Sequence, residues 1–163
     1  MENLGNCNLC GETRIRIMDT KADLCRCLTC GYIFVDPRPL KKDIENYYSK
    51  EDKYDAWLGN EKERDTLWKR RLQKMMKHKK AGSLLDIGAG IGQFLHHAQS
   101  LFSKVSGTEI SECAVKIAKE KYNLSLVKGD ALEIPFQEKF DNVTLFHVLE
   151  HVPNPSKLIS KCR

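Results

Sequence analysis

A chain of 163 residues has room for one ordinary domain, or for a small module joined to most of a second. Hydrophobic residues at 41% and charged residues at 30% describe a globular protein and exclude a disordered or low-complexity one. No apolar run approaches the ~20 residues that cross a bilayer, and MENLGNCNLCGE has neither the basic region nor the apolar core of a signal peptide, so the expected location is cytoplasmic.

That location governs the reading of the seven cysteines, because clustered thiols in a reducing compartment bind metal more often than they pair. Five lie between Cys7 and Cys30, while Cys113 and Cys162 stand alone. Cys7-Asn8-Leu9-Cys10-Gly11 and Cys27-Leu28-Thr29-Cys30-Gly31 are two CxxCG knuckles with 16 residues between Cys10 and Cys27. Two cysteines three apart can turn both sulfurs toward one ion, and the glycine lets the backbone curl beneath them. Two such knuckles complete a tetrahedral site for structural zinc, with Cys7, Cys10, Cys27 and Cys30 as ligands. Cys25 offers a competing thiol, and Cys27 is preferred because its knuckle copies the first, glycine included. Iron of rubredoxin type would use the same ligands. A closed four-thiolate shell leaves no place for substrate, so the metal holds a fold too small to bury a core of its own. Residues 14–18 and 32–35 alternate in the manner of small strands, and Pro37 and Pro39 end the module.

Residues 41–80 read as a helical connector, two helices anchored by Tyr47, Tyr48, Tyr54, Trp57 and Trp68. The net charge of +5 resides in the first eighty residues, with 18 Lys and Arg against 13 Asp and Glu. Residues 69–80 (KRRLQKMMKHKK) hold seven basic residues and no acidic one. Such a run can attract phosphates, but Trp68, Leu72 and Met75 or Met76 are spaced to face a core, which makes the charges a solvated helix face.

From Ser83 onward strands and helices alternate. Leu84–Ile87, Lys104–Glu109, Leu124–Val127 and Asn142–Phe146 read as strands. The first helix shows a stripe of Phe94, Leu95, Ala98, Leu101 and Phe102. The second starts at an N-cap, Ser111, and buries Ala114, Ile117, Ala118 and Tyr122. A last helix covers Ser156–Lys161. Alternation of this kind predicts an α/β fold with a parallel sheet and crossover helices.

Gly88, Gly90 and Gly92 lie where the chain turns from the first of these strands into its helix, where a backbone must bend sharply and approach a ligand. A G-x-G-x-G alone is shared by several nucleotide and methyl-donor sites. Asp86, two residues before the turn, can accept from an ammonium group or organise the loop. Glu109, at the end of the next strand, suits a pair of ribose hydroxyls. Asp130, after the third strand, can accept from an adenine amino group. Three acids suit a cationic sulfonium ligand and suit a pyrophosphate poorly.

LLDIGAGIGQFL, TEIS, KGDALEIPF and FDNVTLFHVLEHVPNP, in this order and spacing, resemble the successive motifs of class I S-adenosylmethionine-dependent methyltransferases over about residues 82–163. The resemblance implies an incomplete doubly wound parallel sheet of Rossmann-like type, preceded by a small zinc ribbon at 1–38 and the connector at 39–81. It implies S-adenosyl-L-methionine as cofactor. Gly88, Gly90 and Gly92 would border its methionine part, Glu109 would hold the ribose, and Asp130 with the backbone of Ala131 and Leu132 the adenine. His147 would sit beside the sulfonium. The N-terminal module, YIFVDPRP and Tyr47-Tyr48-Ser49 are similar to bacterial small-molecule methyltransferases, some acting on sugar nucleotides.

His147, Glu150 and His151 match H-x-x-E-H, a zinc-protease pattern on a long helix, but Pro153 and Pro155 deny that helix. His147 and His151 are the candidates for touching substrate, for a general base or for a divalent ion, and a packing and cofactor-shelf role is favoured. The family's sheet continues beyond four strands, so the chain is expected to be truncated after its fourth strand. That strand would be an open edge prone to self-association. The leading expectation is methyl transfer to a small-molecule acceptor, for which the N-terminal resemblance suggests a sugar nucleotide. The alternatives are an RNA methyltransferase that grips nucleic acid through the zinc module and the basic run, and a cofactor-binding remnant without turnover.

Overall fold

Three short strands organise the cysteine-rich segment: β1 (Ile15–Asp19), β2 (Leu24–Cys27) and β3 (Ile33–Val35), antiparallel in the order β1-β2-β3. β2 was not legible in the sequence, because its residues were claimed for the knuckle. Its inward residues are Cys25 and Cys27, and with Cys7 and Phe34 they form a small buried cluster. The computed structural model describes residues 1–50, 54–78 and 82–163; Lys79 and Lys80 of the basic run and the connector boundary at Ala81 lie outside the described residues. Two compact units result: Met1–Ile44 with Leu149–Arg163, and Glu45–Val148.

The connector holds three helices among the described residues rather than two: α1 (Lys41–Tyr48), α2 (Asp55–Gly59) and α3 (Glu61–Met76). Of the proposed anchors Tyr54 is fully buried and Trp57 and Trp68 pack against the core, whereas Tyr47 is exposed. Along α3, Arg64, Trp68, Arg71, Leu72, Met75 and Met76 are turned inward, and Lys69, Arg70, Lys74 and Lys77 face solvent. The basic run is thus largely a solvated helix face, with Arg71 as an inward exception.

Four parallel strands follow, β4 (Ser83–Ile87), β5 (Lys104–Glu109), β6 (Val127–Lys128) and β7 (Asn142–Leu145), in the order β6-β5-β4-β7. β4 is central and reads Leu-Leu-Asp-Ile because both its faces are covered. β6 begins three residues later than expected. Asn123 takes a left-handed conformation after helix α5 (Glu112–Tyr122), and the Leu124 N–H closes back on the Ala118 carbonyl at 3.1 Å. That cap occupies the backbone that would have paired, and Leu124 and Leu126 enter the core instead. The Ser111 hydroxyl caps α5 by accepting from the Ala114 N–H at 3.3 Å. Helix α4 (Gln93–Ala98) is shorter than its apolar stripe, because the Leu101 N–H returns to the Ala98 carbonyl three residues back. That tight turn leaves Leu101 exposed and buries Phe102. The last helix, α6, spans Pro155–Lys161, with the Asn154 side chain as its cap.

Gln93, at the start of α4 and 2% exposed, ties α3 to α4. Its carbonyl accepts from Arg64 Nε and Trp68 Nε1, both at 3.2 Å. Its amide donates to Asp65 Oδ1 at 2.8 Å and to the Glu61 carbonyl at 3.1 Å. Asp65 also pairs with His97 Nε2 at 2.7 Å. Leucine in place of Gln93 leaves these donors and acceptors half-buried without partners, at about 1–3 kcal/mol for a group stranded in this way. Gln93→Leu is therefore expected to lose about 2–3 kcal/mol in urea unfolding followed by tryptophan emission; a loss under about 0.5 kcal/mol, the usual surface value, would show that the amide does not hold the helices.

Candidate functional site

The C-terminal ends of β4 and β5 meet at the glycine turn. All three glycines have positive φ, 69° at Gly88, 56° at Gly90 and 80° at Gly92, conformations that side-chain-bearing residues rarely adopt. Space forbids a side chain as well: a Cβ on Gly90 would lie 2.9 Å from the Trp57 ring, and one on Gly92 2.8 Å from Leu124 Cδ1. The turn is pinned to β5 twice. The Ala89 N–H donates to the Thr108 carbonyl at 2.9 Å, and the Gly90 N–H donates to Glu109 Oε2 at 2.8 Å. The second carboxylate oxygen, Oε1, accepts from the Ser111 N–H at 3.0 Å. Glu109 is almost wholly buried, and burial raises its pKa despite these backbone donors.

Asp86 lies beneath the turn, 3% exposed, with Oδ1 accepting from the Thr144 hydroxyl at 2.6 Å. Burial pushes its carboxyl up to about 7; the Thr144 bond holds it back and the nearby Glu109 charge adds to the rise. Asp130 joins the group through its neighbour, since the Gly129 N–H donates to the Glu109 carbonyl at 2.9 Å. Its own Oδ1 accepts from the Leu132 N–H at 2.9 Å, and Ala131 between them is buried. Asp86, Gly88, Gly90, Glu109 and Asp130 are therefore gathered at the carboxyl ends of β4, β5 and β6, with Gly92 opening α4.

Residues 146–151 are bends and turns rather than a helix. His147 stands just past β7 with φ 58°, and Val148 closes on Gly88, where an added Cβ would lie 2.6 Å from Val148 Cγ2. Arg71 Nη2 donates to His147 Nε2 at 2.8 Å. Arginine only donates, so Nε2 is the acceptor, and in the neutral ring the proton sits on Nδ1. His151 belongs to the other unit. Among the described residues, His147, Glu150 and His151 do not converge as a metal-binding group.

One set of ligand atoms does converge. The sulfurs of Cys7, Cys10, Cys27 and Cys30 all lie within 4.8 Å of one another, with 3.7 Å between Cys7 and Cys30 and 3.6 Å between Cys10 and Cys27. Backbone N–H groups of Cys30 and Thr29 aimed at Cys27 bring its pKa down to about 6, whereas the neighbouring Cys10 thiol is pushed up to about 12 and burial raises that of Cys7. Cys25 stays outside the set and lies against the Asp36 carbonyl.

Sequence reasoning gave Tyr54, Trp57 and Arg71 no place at this site. Tyr54 is buried beside Ser111 and Glu109, and burial pushes its phenol up to about 12. Trp57 meets Tyr54 edge to face at 5.4 Å and lies against Gly90. A run of aromatics upstream of the glycine turn was the only available signal, and it did not say where they would land.

A parallel sheet with a glycine turn after its central strand and an acid closing the next is the Rossmann-like fold of methyltransferases. Magnesium protoporphyrin IX methyltransferase of Synechocystis PCC 6803 with bound S-adenosylmethionine shares it, with a TM-score of 0.56, 18% identity, and coverage of 78% of this chain and 73% of that one. So does a methyltransferase dependent on S-adenosylmethionine from Thermotoga maritima, with a TM-score of 0.58, 20% identity, and coverage of 76% and 55%. Residues 85–163 match the family model described as a methyltransferase domain. Over 100 residues the chain is 35% identical to demethylmenaquinone methyltransferase of Staphylococcus aureus, covering 56% of this chain and 42% of that protein. The chain thus spans less than half the length of the curated relatives it matches.

The buried Asp86 has a measurable consequence. Its folded pKa stands above the ~3.9 of an unfolded aspartate, so its contribution to stability is complete below about pH 4 and lost as pH rises toward 7. Asp86→Asn keeps an acceptor for Thr144 and removes that loss. Urea unfolding across this range should show the variant gaining on wild type from about pH 4 to about pH 7 and holding the gain above; a difference that does not vary with pH would place Asp86 ionised throughout.

Proposed function

We propose that the chain carries the cofactor-binding part of an enzyme that transfers a methyl group from S-adenosyl-L-methionine to a small-molecule acceptor, with a sugar nucleotide as the favoured class. One observation carries the reading. Glu109 closes β5 beside a glycine turn and accepts two backbone N–H groups. A carboxylate has about four lone-pair positions, so two remain for the paired hydroxyls of a ribose. Gly88, Gly90 and Gly92 then leave room for the methionine part, and Asp86 organises the turn from below. Asp130, with the backbone of Ala131 and Leu132, serves the adenine, the Leu132 N–H being oriented by Asp130 itself. The similarity to a small-molecule methyltransferase supports an acceptor of that size.

When bound, the cofactor supplies an electrophilic methyl group on a positively charged sulfur. The part of the protein is to hold an acceptor in line with it and keep water out, a proximity effect. His147 borders the reacting edge at the end of β7, where its Nε2 is engaged by Arg71.

Residues 1–38 are proposed as a zinc ribbon in which Cys7, Cys10, Cys27 and Cys30 hold structural Zn2+. Zinc–sulfur bonds of about 2.3 Å give a tetrahedron edge of about 3.8 Å, close to the sulfur separations of 3.7 and 3.6 Å.

Calorimetry with S-adenosylhomocysteine tests the first reading. Wild type is expected to bind, and Glu109→Ala to bind at least ~10-fold more weakly, as expected for loss of charge-assisted hydrogen bonds; equal affinity would remove the carboxylate from the site. Metal analysis tests the second: one zinc per chain in wild type, lost in Cys27→Ser and retained in Cys25→Ser. Zinc retained by Cys27→Ser would refute the ligand set.

A further inference from the structure

The inward exception on α3 has no explanation in cofactor binding. Arg71 lies over the Trp68 ring at 4.8 Å and over Phe146 at 5.1 Å, and its Nη2 reaches His147. Its Nη1 is buried without a hydrogen-bond partner. Two turns back, Arg64 lies over Trp57 at 4.1 Å and Trp68 at 5.7 Å, bonded through Nε to the neutral Gln93. Burial lowers the Arg64 pKa, and the Arg71 charge adds to that lowering. Among the described residues neither guanidinium forms an ion pair with a carboxylate.

Two half-buried cations on aromatic faces, with no counter-charge, are costly to keep. Aromatic faces repay part of that cost but satisfy no N–H group. The position matters equally. Phe146 and His147 directly follow β7, whose last residue pairs with Ile87 immediately before the glycine turn. In open parallel sheets ligands bind in the crevice outside the carboxyl ends of the strands. Arg71 therefore stands at the β7 side of that crevice, opposite the Glu109 and Asp130 side.

We infer that the acceptor carries an oxyanion, a phosphate or carboxylate group, and that Arg71 receives it beside His147. The inference rests on the methyl-transfer reading and adds the residue that receives the acceptor's charged group. A planar guanidinium fork matches two oxygens of such a group at once, which a lysine cannot do. His147 is the stand-in acceptor in the absence of ligand. It stands on an exposed bend just past β7, in the left-handed region at φ 58°. The arriving oxyanion replaces the imidazole at Nη2 and gives Nη1 the partner it lacks. Arg64 adds a second positive charge one aromatic ring away.

The probe is inorganic phosphate, titrated at constant ionic strength and followed through the indole N–H of Trp68 and the ring protons of His147 by NMR. Wild type should show a saturable shift of both. Arg71→Gln should lose it, and Arg71→Lys, which keeps a charge without the fork, should bind ~10-fold more weakly. S-adenosylhomocysteine affinity, measured in both variants, reports on the cofactor site apart from the phosphate response. No saturable shift in wild type, or phosphate binding in Arg71→Lys as tight as in wild type, would overturn the inference, and the second variant decides the matter if the first does not fold. If S-adenosylhomocysteine fails to bind wild type while phosphate binds through Arg71, the methyl-transfer reading falls and the oxyanion site stands.

Discussion

The carboxylate of Glu109 is the fixed point of the second unit. One oxygen holds the Gly90 N–H of the turn after β4, and the other holds the Ser111 N–H at the cap of α5. A strand end, a glycine turn and a helix start are thus referred to one buried charge. The bonds are charge-assisted and shielded from water, so they are stronger than neutral ones. The cost of burying that charge shows in its raised pKa. A protein keeps such a group where its remaining acceptor capacity has a use.

Much of this was legible in the sequence, and the reason is local. The strand at 104–109, the Ser111 cap, the turning glycines and the paired knuckles are each written in a few consecutive residues whose chemistry has one good solution. Cys27 was separable from Cys25 because its spacing and glycine repeat the first knuckle, and Cys25 stays outside the sulfur cluster. Misreadings arose where two local solutions compete. Leu124 and Leu126 read as strand residues, yet a helix cap took the Leu124 N–H. The stripe through Phe102 fits a longer helix, yet a tight turn ends α4 at Ala98.

What the sequence did not carry is long-range. Nothing near Trp57 says that its ring will lie against Gly90, 33 positions later. The basic run reads as a solvated face, which describes Lys69, Arg70, Lys74 and Lys77 but conceals that Arg71 turns inward, because periodicity assigns a face to a helix without naming what the face meets. The turn at 146–151 was foreseen from Pro153 and Pro155, while its contact with α3 was not.

Gln93 belongs to the helix that begins at the glycine turn, yet its side chain fixes the rotation of α3 through Arg64, Trp68 and Asp65. The azimuth of α3 in turn decides where the guanidinium one turn past Trp68 comes to rest. The two halves of the crevice are therefore geared together by a single uncharged amide. A change at Gln93 can shift the Arg71 guanidinium without touching it.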